Sequence, residues 1–369
     1  MLRWLSDYDG RRDNNFTLIR IILAWLVLFG HSFAITKSGS DPITPFLPGA
    51  WTGAVAVDGF FAISGFLVAA SFVKRGAVEF VLARVLRIYP ALVVCTVLTI
   101  LILGPVFTTR TLDAYFSSPL IEQYWHNALL WPRVYWYLPG VFEDHPDRAI
   151  NGSLWTLPVE VRCYFALLIV GLFGALRIRL IGSAVAVLIF LLGIFAFEWF
   201  PLVGFNPRYA RPCSYFLVGV LIWLNREYIP LHWTLALAAV VLPYVARQFL
   251  IICLPYILFF CAYALPHINA DKVGDFSYGL YIYAWPCQQI AFWHGQSPYI
   301  NAAIATLLAA IAATLSWFII ERPALKLRAP LVGLWHRSTG KDNIRITGQD
   351  VHRPAAGGET IRDRIERSA

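Results

Sequence analysis

This sequence predicts an all-α integral membrane protein, a bundle of about ten transmembrane helices, and three observations carry that expectation. Of its 369 residues, 58% are hydrophobic and only 14% charged, whereas soluble domains carry about 25% charged residues; mean hydropathy is +0.61. The apolar residues fall in blocks of about twenty, the length an α-helix needs to cross a ~30 Å hydrocarbon core. Lysine and arginine are also divided unevenly between the connecting segments.

Ten spans are expected, at residues 16–36, 51–73, 88–107, 153–175, 180–199, 209–224, 232–246, 249–266, 276–295 and 300–320. Pro207, Pro212, Pro243 and Pro255 interrupt the sixth to eighth, but neighbouring helices in a membrane re-satisfy the backbone groups that proline frees. An even number of crossings puts both termini on one face. The terminal segments and loops of that face hold 21 of the 30 Lys and Arg, the opposite face holds seven, Arg211 at a span end among them, and Arg20 and Arg162 lie inside spans. The positive-inside rule then makes both termini cytoplasmic. The net charge of +8 is thus a topology signal, and nucleic acid is not an expected partner. The division expected is a cytoplasmic segment 1–15, a transmembrane domain 16–325 and a basic cytoplasmic tail 326–369, expected to be disordered because it is polar and aperiodic.

Several chemistries have no foothold. The six cysteines, Cys95, Cys163, Cys213, Cys253, Cys261 and Cys287, form no CxxC pair and read as small core residues. There is no Walker A loop, HExxH, GxSxG or EF-hand, and no metal is expected. The longest outer loop, 108–152, mixes Tyr115, Tyr124, Trp125, Trp131, Tyr135, Trp136 and Tyr137 with four prolines. It reads either as an interfacial aromatic belt or as a stacking platform for a sugar-like acceptor.

Charge inside a bilayer is costly, so ionisable residues in spans are functional candidates. Arg20 and His31 are eleven residues apart, about three turns, so they share one face of the first helix, separated by about 16 Å. Depth counted along each span puts His31, Asp58 and Glu160 in one outer layer, where a carboxylate could orient the imidazole. Arg20, Arg84 and Arg87 form an inner layer; Arg84 and Arg87 are i, i+3, and guanidinium forks suit phosphate. Buried His, Asp and Glu are equally what a proton-coupled transporter of a small polar solute or glycan precursor would use, although no internal repeat of the transporter kind is evident.

Six groups of residues in order then match a known pattern: Asn15–Arg20 with His31, Val57–Leu67, Phe80–Pro90, Asn151–Glu160 with Tyr164-Phe165, Gly274–Tyr281 and Ser316–Pro323. With them the chain resembles the acyltransferase 3 family of ten-span membrane proteins, which acylate cell-surface sugars and other extracytoplasmic acceptors. The resemblance covers residues 15 to about 325. It implies an acyl-coenzyme A donor, usually acetyl-coenzyme A, on the cytoplasmic side, and an extracytoplasmic glycan or other hydroxyl acceptor. It implies a multi-pass protein of the cell inner (plasma) membrane. It also implies that Arg20 with His31, and Arg84 with Arg87, are needed for activity. His31, Asp58 and Glu160 are the expected catalytic residues, Arg20, Arg84 and Arg87 the donor-binding ones, and Asn151, Trp155 and Tyr164 the substrate-binding ones.

Overall fold

Apolar segments in a bilayer must satisfy their backbone hydrogen bonds internally, and the helix is the local solution. In the computed structural model the chain is accordingly helical over most of its length. Residues 3–339 are described, apart from 10, 12, 48, 132 and 196–208. Pro132, Pro207, Arg208, the end of the fifth expected span (196–199) and the tail from 340 therefore lie outside the described residues.

The principal helices are α1 (Phe16–Thr36), α2 (Thr52–Arg75), α3 (Ala77–Leu98), α4 (Thr156–Leu172), α5 (Arg179–Phe195), α6 (Ala210–Leu224), α7 (Trp233–Val245), α8 (Leu250–Tyr263), α9 (Ser277–Ile290) and α10 (Pro298–Ser316). Helices over Phe16–Thr36, Thr52–Arg75, Ala77–Phe107 and Pro298–Ser338 are long and apolar enough to cross a membrane. The apolar helices at α5 to α8 are shorter.

Two boundaries differ from the sequence expectation. The third helix starts at Ala77, not near residue 88, because Gly76 (φ +79°) ends α2 and turns the chain directly into α3. Pro90 is absorbed within α3, and a π-helical turn over Thr99–Leu103 extends the rod to Phe107. Arg84 and Arg87 therefore stand on a continuous 31-residue helix rather than in a connecting loop. The last helix likewise continues beyond residue 320. It passes through a π-helical turn, Trp317–Glu321, into Arg322–Lys326 and Arg328–Ser338, so the first residues of the expected tail are helical.

Two features fix the bundle around α1 and α2. The N-terminal segment is strapped down: Arg3–Trp4 pairs antiparallel with Pro230–Leu231, and Asp9 forms ion pairs with Lys74 and, at 3.3 Å, with Arg226. Asn15, 4% exposed, donates from Nδ2 to Cys261 O and Pro266 O and accepts from Ile268 N. The second feature is close approach of α2 and α6. A Cβ on Gly65 would lie 2.0 Å from Phe216 O, and one on Gly219 would lie 2.1 Å from Ala62 O. Small residues let membrane helices touch backbone to backbone, where packing replaces the hydrophobic drive that lipid does not supply.

Between α3 and α4 the loop forms its own core from Ile100, Tyr115, Ile121, Tyr124, Leu138, Val141, Phe142 and Ile150. Tyr115 and Tyr124 are buried there, whereas Trp125, Trp131 and Tyr137 are exposed, so the aromatic run divides between core and surface. Gly65→Val should force α2 and α6 apart and lower the stability of the detergent-purified protein by about 1–3 kcal/mol. Its thermal unfolding midpoint checks this; an unchanged midpoint would refute the close contact.

Candidate active site

α1 is unbroken from Phe16 to Thr36, so Arg20 and His31 do share one of its faces. The two ends of that face meet different surroundings.

His31 is 6% exposed and held between two indoles. Its ring centroid lies 5.2 Å from that of Trp51 and 4.7 Å from that of Trp285. Trp51 can fold over α1 because Gly30 and Gly53 lack side chains; a Cβ on Gly53 would lie 1.9 Å from its ring. Trp285 is pinned by its indole N–H donating to Ala149 O at 2.9 Å. One turn further along α9, Gln288 Nε2 donates to Leu28 O and Ser32 Oγ, both at 2.7 Å, and so binds α9 to the turn of α1 that carries His31. Among the described residues, nothing hydrogen-bonds to the buried Nδ1 of His31.

Arg20 reaches a polar cavity of about 120 Å³ whose lining includes Ser64, Arg84, Arg87, Glu160, Tyr164 and Tyr281. Arg20 Nη2 lies 3.0 Å from Asp275 Oδ2, and Arg87 Nη2 lies 2.8 Å from the same oxygen. The second guanidinium nitrogen of Arg87 pairs with Glu321 at 3.2 Å. Arg84 stands over the Tyr164 ring at 5.7 Å. The Tyr164 hydroxyl donates to Glu160, and Ser64 Oγ lies 3.4 Å from the same carboxylate oxygen. The three arginines foreseen as an inner layer are thus brought together.

The expected outer layer is not assembled by hydrogen bonds. Asp58, 2% exposed, pairs with Arg211 of α6, whose Nε donates at 3.0 Å. Glu160 belongs to the arginine cavity instead of the His31 clasp. The reason is the course of the chain before α4. Residues 150–155 run inward as buried, non-helical backbone: Asn151 Nδ2 donates to Ile282 O at 2.8 Å, and the Tyr281 hydroxyl donates to Ser153 O at 3.1 Å. Irregular backbone is tolerated at depth where protein covers it. α4 therefore starts well inside the bundle, and counting from residue 153 underestimates the depth of Glu160.

The expected substrate residues separate similarly. Asn151 is 1% exposed, and its amide serves neighbouring backbone, accepting from Ser153 N at 3.2 Å. Trp155 stacks on Tyr209 at 6.4 Å. Tyr164 lines the cavity. Residues that sequence reasoning passed over are Arg211, Asp275, Ser277, Ser316 and Glu321. Asp275 and Glu321 stand at the ends of apolar runs, where charge reads as an ordinary boundary; their place in recurring family segments was the available signal. A larger cavity of about 490 Å³ between α4, α5 and α6 has an apolar lining without charged side chains, so it offers nothing to hold phosphate. No group of three or more His, Cys, Asp or Glu suited to a metal occurs among the described residues.

One helix thus carries a buried imidazole and one arginine of a guanidinium cluster. The chain belongs to the acyltransferase 3 family, whose model, described as an acyltransferase domain, matches residues 13–322. It is 28% identical over 365 residues to nodulation protein 10 of Rhizobium leguminosarum bv. viciae, covering 89% of this chain and 97% of the relative. It is 25% identical over 348 residues to an O-acetyl transferase of Shigella phage Sf6, covering 88% and 99%. No solved structure matches. The protein is therefore a membrane O-acyltransferase of the O-acetyltransferase type, which decides between enzyme and transporter.

The Asp58–Arg211 pair makes a stability prediction. Arg211→Gln leaves a buried carboxylate without its guanidinium and should cost about 2 kcal/mol, below the ~3–5 kcal/mol of a fully buried pair because Arg211 is part-exposed. Adding Asp58→Asn should recover much of that loss. Thermal unfolding of the two single variants and the double variant tests it, and simple additivity would refute the coupling.

Proposed function

We propose that the protein moves an acetyl group from cytoplasmic acyl-coenzyme A to a hydroxyl of an extracytoplasmic acceptor, a cell-surface polysaccharide or oligosaccharide. The observation that carries this reading is the single face of α1, with Arg20 at a three-arginine cavity and His31 in an indole clasp about 16 Å further along. Ten crossings with both termini cytoplasmic, as the charge asymmetry favours, place the arginine end inside and the histidine end outside. The relative named as an O-acetyl transferase supports acetyl as the group carried. The setting is the cell inner membrane.

In this mechanism the donor's phosphates dock on the cavity arginines, and its pantetheine arm points along α1 toward His31. His31 takes the proton from the acceptor hydroxyl as its oxygen attacks the thioester carbonyl. The new C–O bond forms, the C–S bond breaks, and the thiolate leaves and is protonated. The Trp51 and Trp285 rings exclude water and fix the imidazole plane. Asp58 secures α2 to α6, and Glu160 with Tyr164 shapes the donor cavity. Asn151 supports the chain entering α4, and Trp155 lies on the acceptor side.

His31→Ala should lower transfer by about a hundredfold or more while membrane insertion is unaffected. Mass spectrometry of surface glycans from cells carrying each form reads this directly, since it reports the modified sugar and the acyl mass together. Undiminished acylation in the variant would remove His31 from the mechanism. Arg84→Gln should instead raise KM for acetyl-coenzyme A more than it lowers kcat, because it weakens donor binding in ground and transition states alike. Initial rates at varied donor concentration measure it, and an unchanged KM would count against a phosphate role.

A further inference from the structure

The three cavity arginines do not have equivalent surroundings. Arg20 and Arg87 share Asp275, and Arg87 has Glu321 as a second carboxylate. Arg84 makes no ion pair among the described residues; its Nε is buried without a hydrogen-bond partner, it stands over the Tyr164 ring, and Glu160 across the cavity attracts it without pairing.

Glu321 is placed by unusual local structure. It is the last residue of the π-helical turn Trp317–Glu321, which interrupts an otherwise α-helical run. A π turn inserts one residue and rotates everything after it, and such turns recur at functional sites. Here the carboxylate is turned inward: Glu321 is 2% exposed, Ser316 Oγ donates to its Oε1 at 2.9 Å, and its Oε2 accepts from Arg87. Gly279 of α9 makes room for it, since a Cβ there would lie 3.0 Å from Oε1 and 2.9 Å from Ala313 Cα. Asp275 is fixed similarly, with Ser277 Oγ donating to its Oδ1 at 2.6 Å. A carboxylate buried in this way is costly unless it compensates a buried cation, and the cation it faces lines the cavity.

We propose that the arginines divide their work: Arg84 is the guanidinium that takes a donor phosphate, while Glu321 and Asp275 are positioning residues that hold Arg87 and Arg20 in place around it. This rests on the donor reading above and deepens it. Glu321 touches neither donor nor acceptor; it acts through Arg87.

The test is a double-variant cycle on the full-length protein in lipid nanodiscs. Affinity is measured for adenosine 3′,5′-bisphosphate, which carries phosphate, and for pantetheine, which carries none, alongside kcat/KM for acetyl-coenzyme A. Glu321→Gln should weaken bisphosphate binding and lower kcat/KM by about tenfold through misplacement of Arg87, with pantetheine binding unchanged. In an Arg87→Gln background the Glu321→Gln loss should vanish; in an Arg84→Gln background it should persist. A loss of the same size in both backgrounds, or bisphosphate affinity indifferent to Glu321→Gln, overturns the positioning role. Bisphosphate affinity indifferent to Arg84→Gln overturns the phosphate assignment. If the unsubstituted protein binds no bisphosphate, the donor reading fails and this assignment with it, whereas the outcomes above leave that reading intact. Should Glu321→Gln not accumulate in the membrane, Ser316→Ala removes the hydrogen bond to Oε1 together with a contact to the Tyr283 hydroxyl and supports the same cycle with a smaller expected loss.

Discussion

Compensation of buried positive charge is the constraint around which the arginine-bearing half of this protein is arranged. A guanidinium withdrawn from water needs a carboxylate and further hydrogen bonds to be tolerable, and Arg87 has Asp275 and Glu321. Those partners come from distant parts of the chain: Arg87 from α3, Asp275 from the approach to α9, and Glu321 from the turn that follows α10. Arg20 adds α1 through the same aspartate. One ionic junction thus ties four segments that hydrophobic packing alone would leave free to slide, because lipid is as apolar as the helix surfaces. The cavity exists because that junction holds its walls at a set distance.

The half around His31 is governed by shape instead. His31 is enclosed by rings, not by charge: Trp51 reaches it because Gly30 and Gly53 stand where it crosses α1 and α2, and the Trp285 ring has room because Gly152 lies against it. Among the described residues the imidazole Nδ1 has no hydrogen-bond partner. The two halves are joined by α1 and α9. Tyr278 and Tyr281 of α9 line the cavity, Trp285 packs on His31, and Gln288 grips α1 beyond it.

Much of this was legible in the amino-acid sequence, for identifiable reasons. Helix positions follow from apolar blocks, and the shared face of Arg20 and His31 follows from helical periodicity within one segment. The grouping of Arg20 with Arg84 and Arg87 followed from depth, and it holds because α1 and α3 are regular there. Depth failed for Glu160, since residues 150–155 enter as irregular buried backbone whose course is fixed by Asn151 and Tyr281. It failed again for Asp58, whose partner Arg211 lies 153 residues away, a pairing no local pattern encodes. Glu321 escaped notice because a π turn changes which way a residue faces without changing composition.

The length of the third helix has a mechanical consequence. At 31 residues the rod is about 46 Å long, well beyond the ~30 Å hydrocarbon core. It must tilt or project, and bilayer thickness sets how far it does so. Arg84 and Arg87 ride near one end of this rod, and the Tyr115 hydroxyl grips Ile100 O near the other at 2.9 Å. The surrounding lipid therefore bears on the arginine cavity: a thicker or thinner membrane acts on the angle at which the arginines are presented to α1.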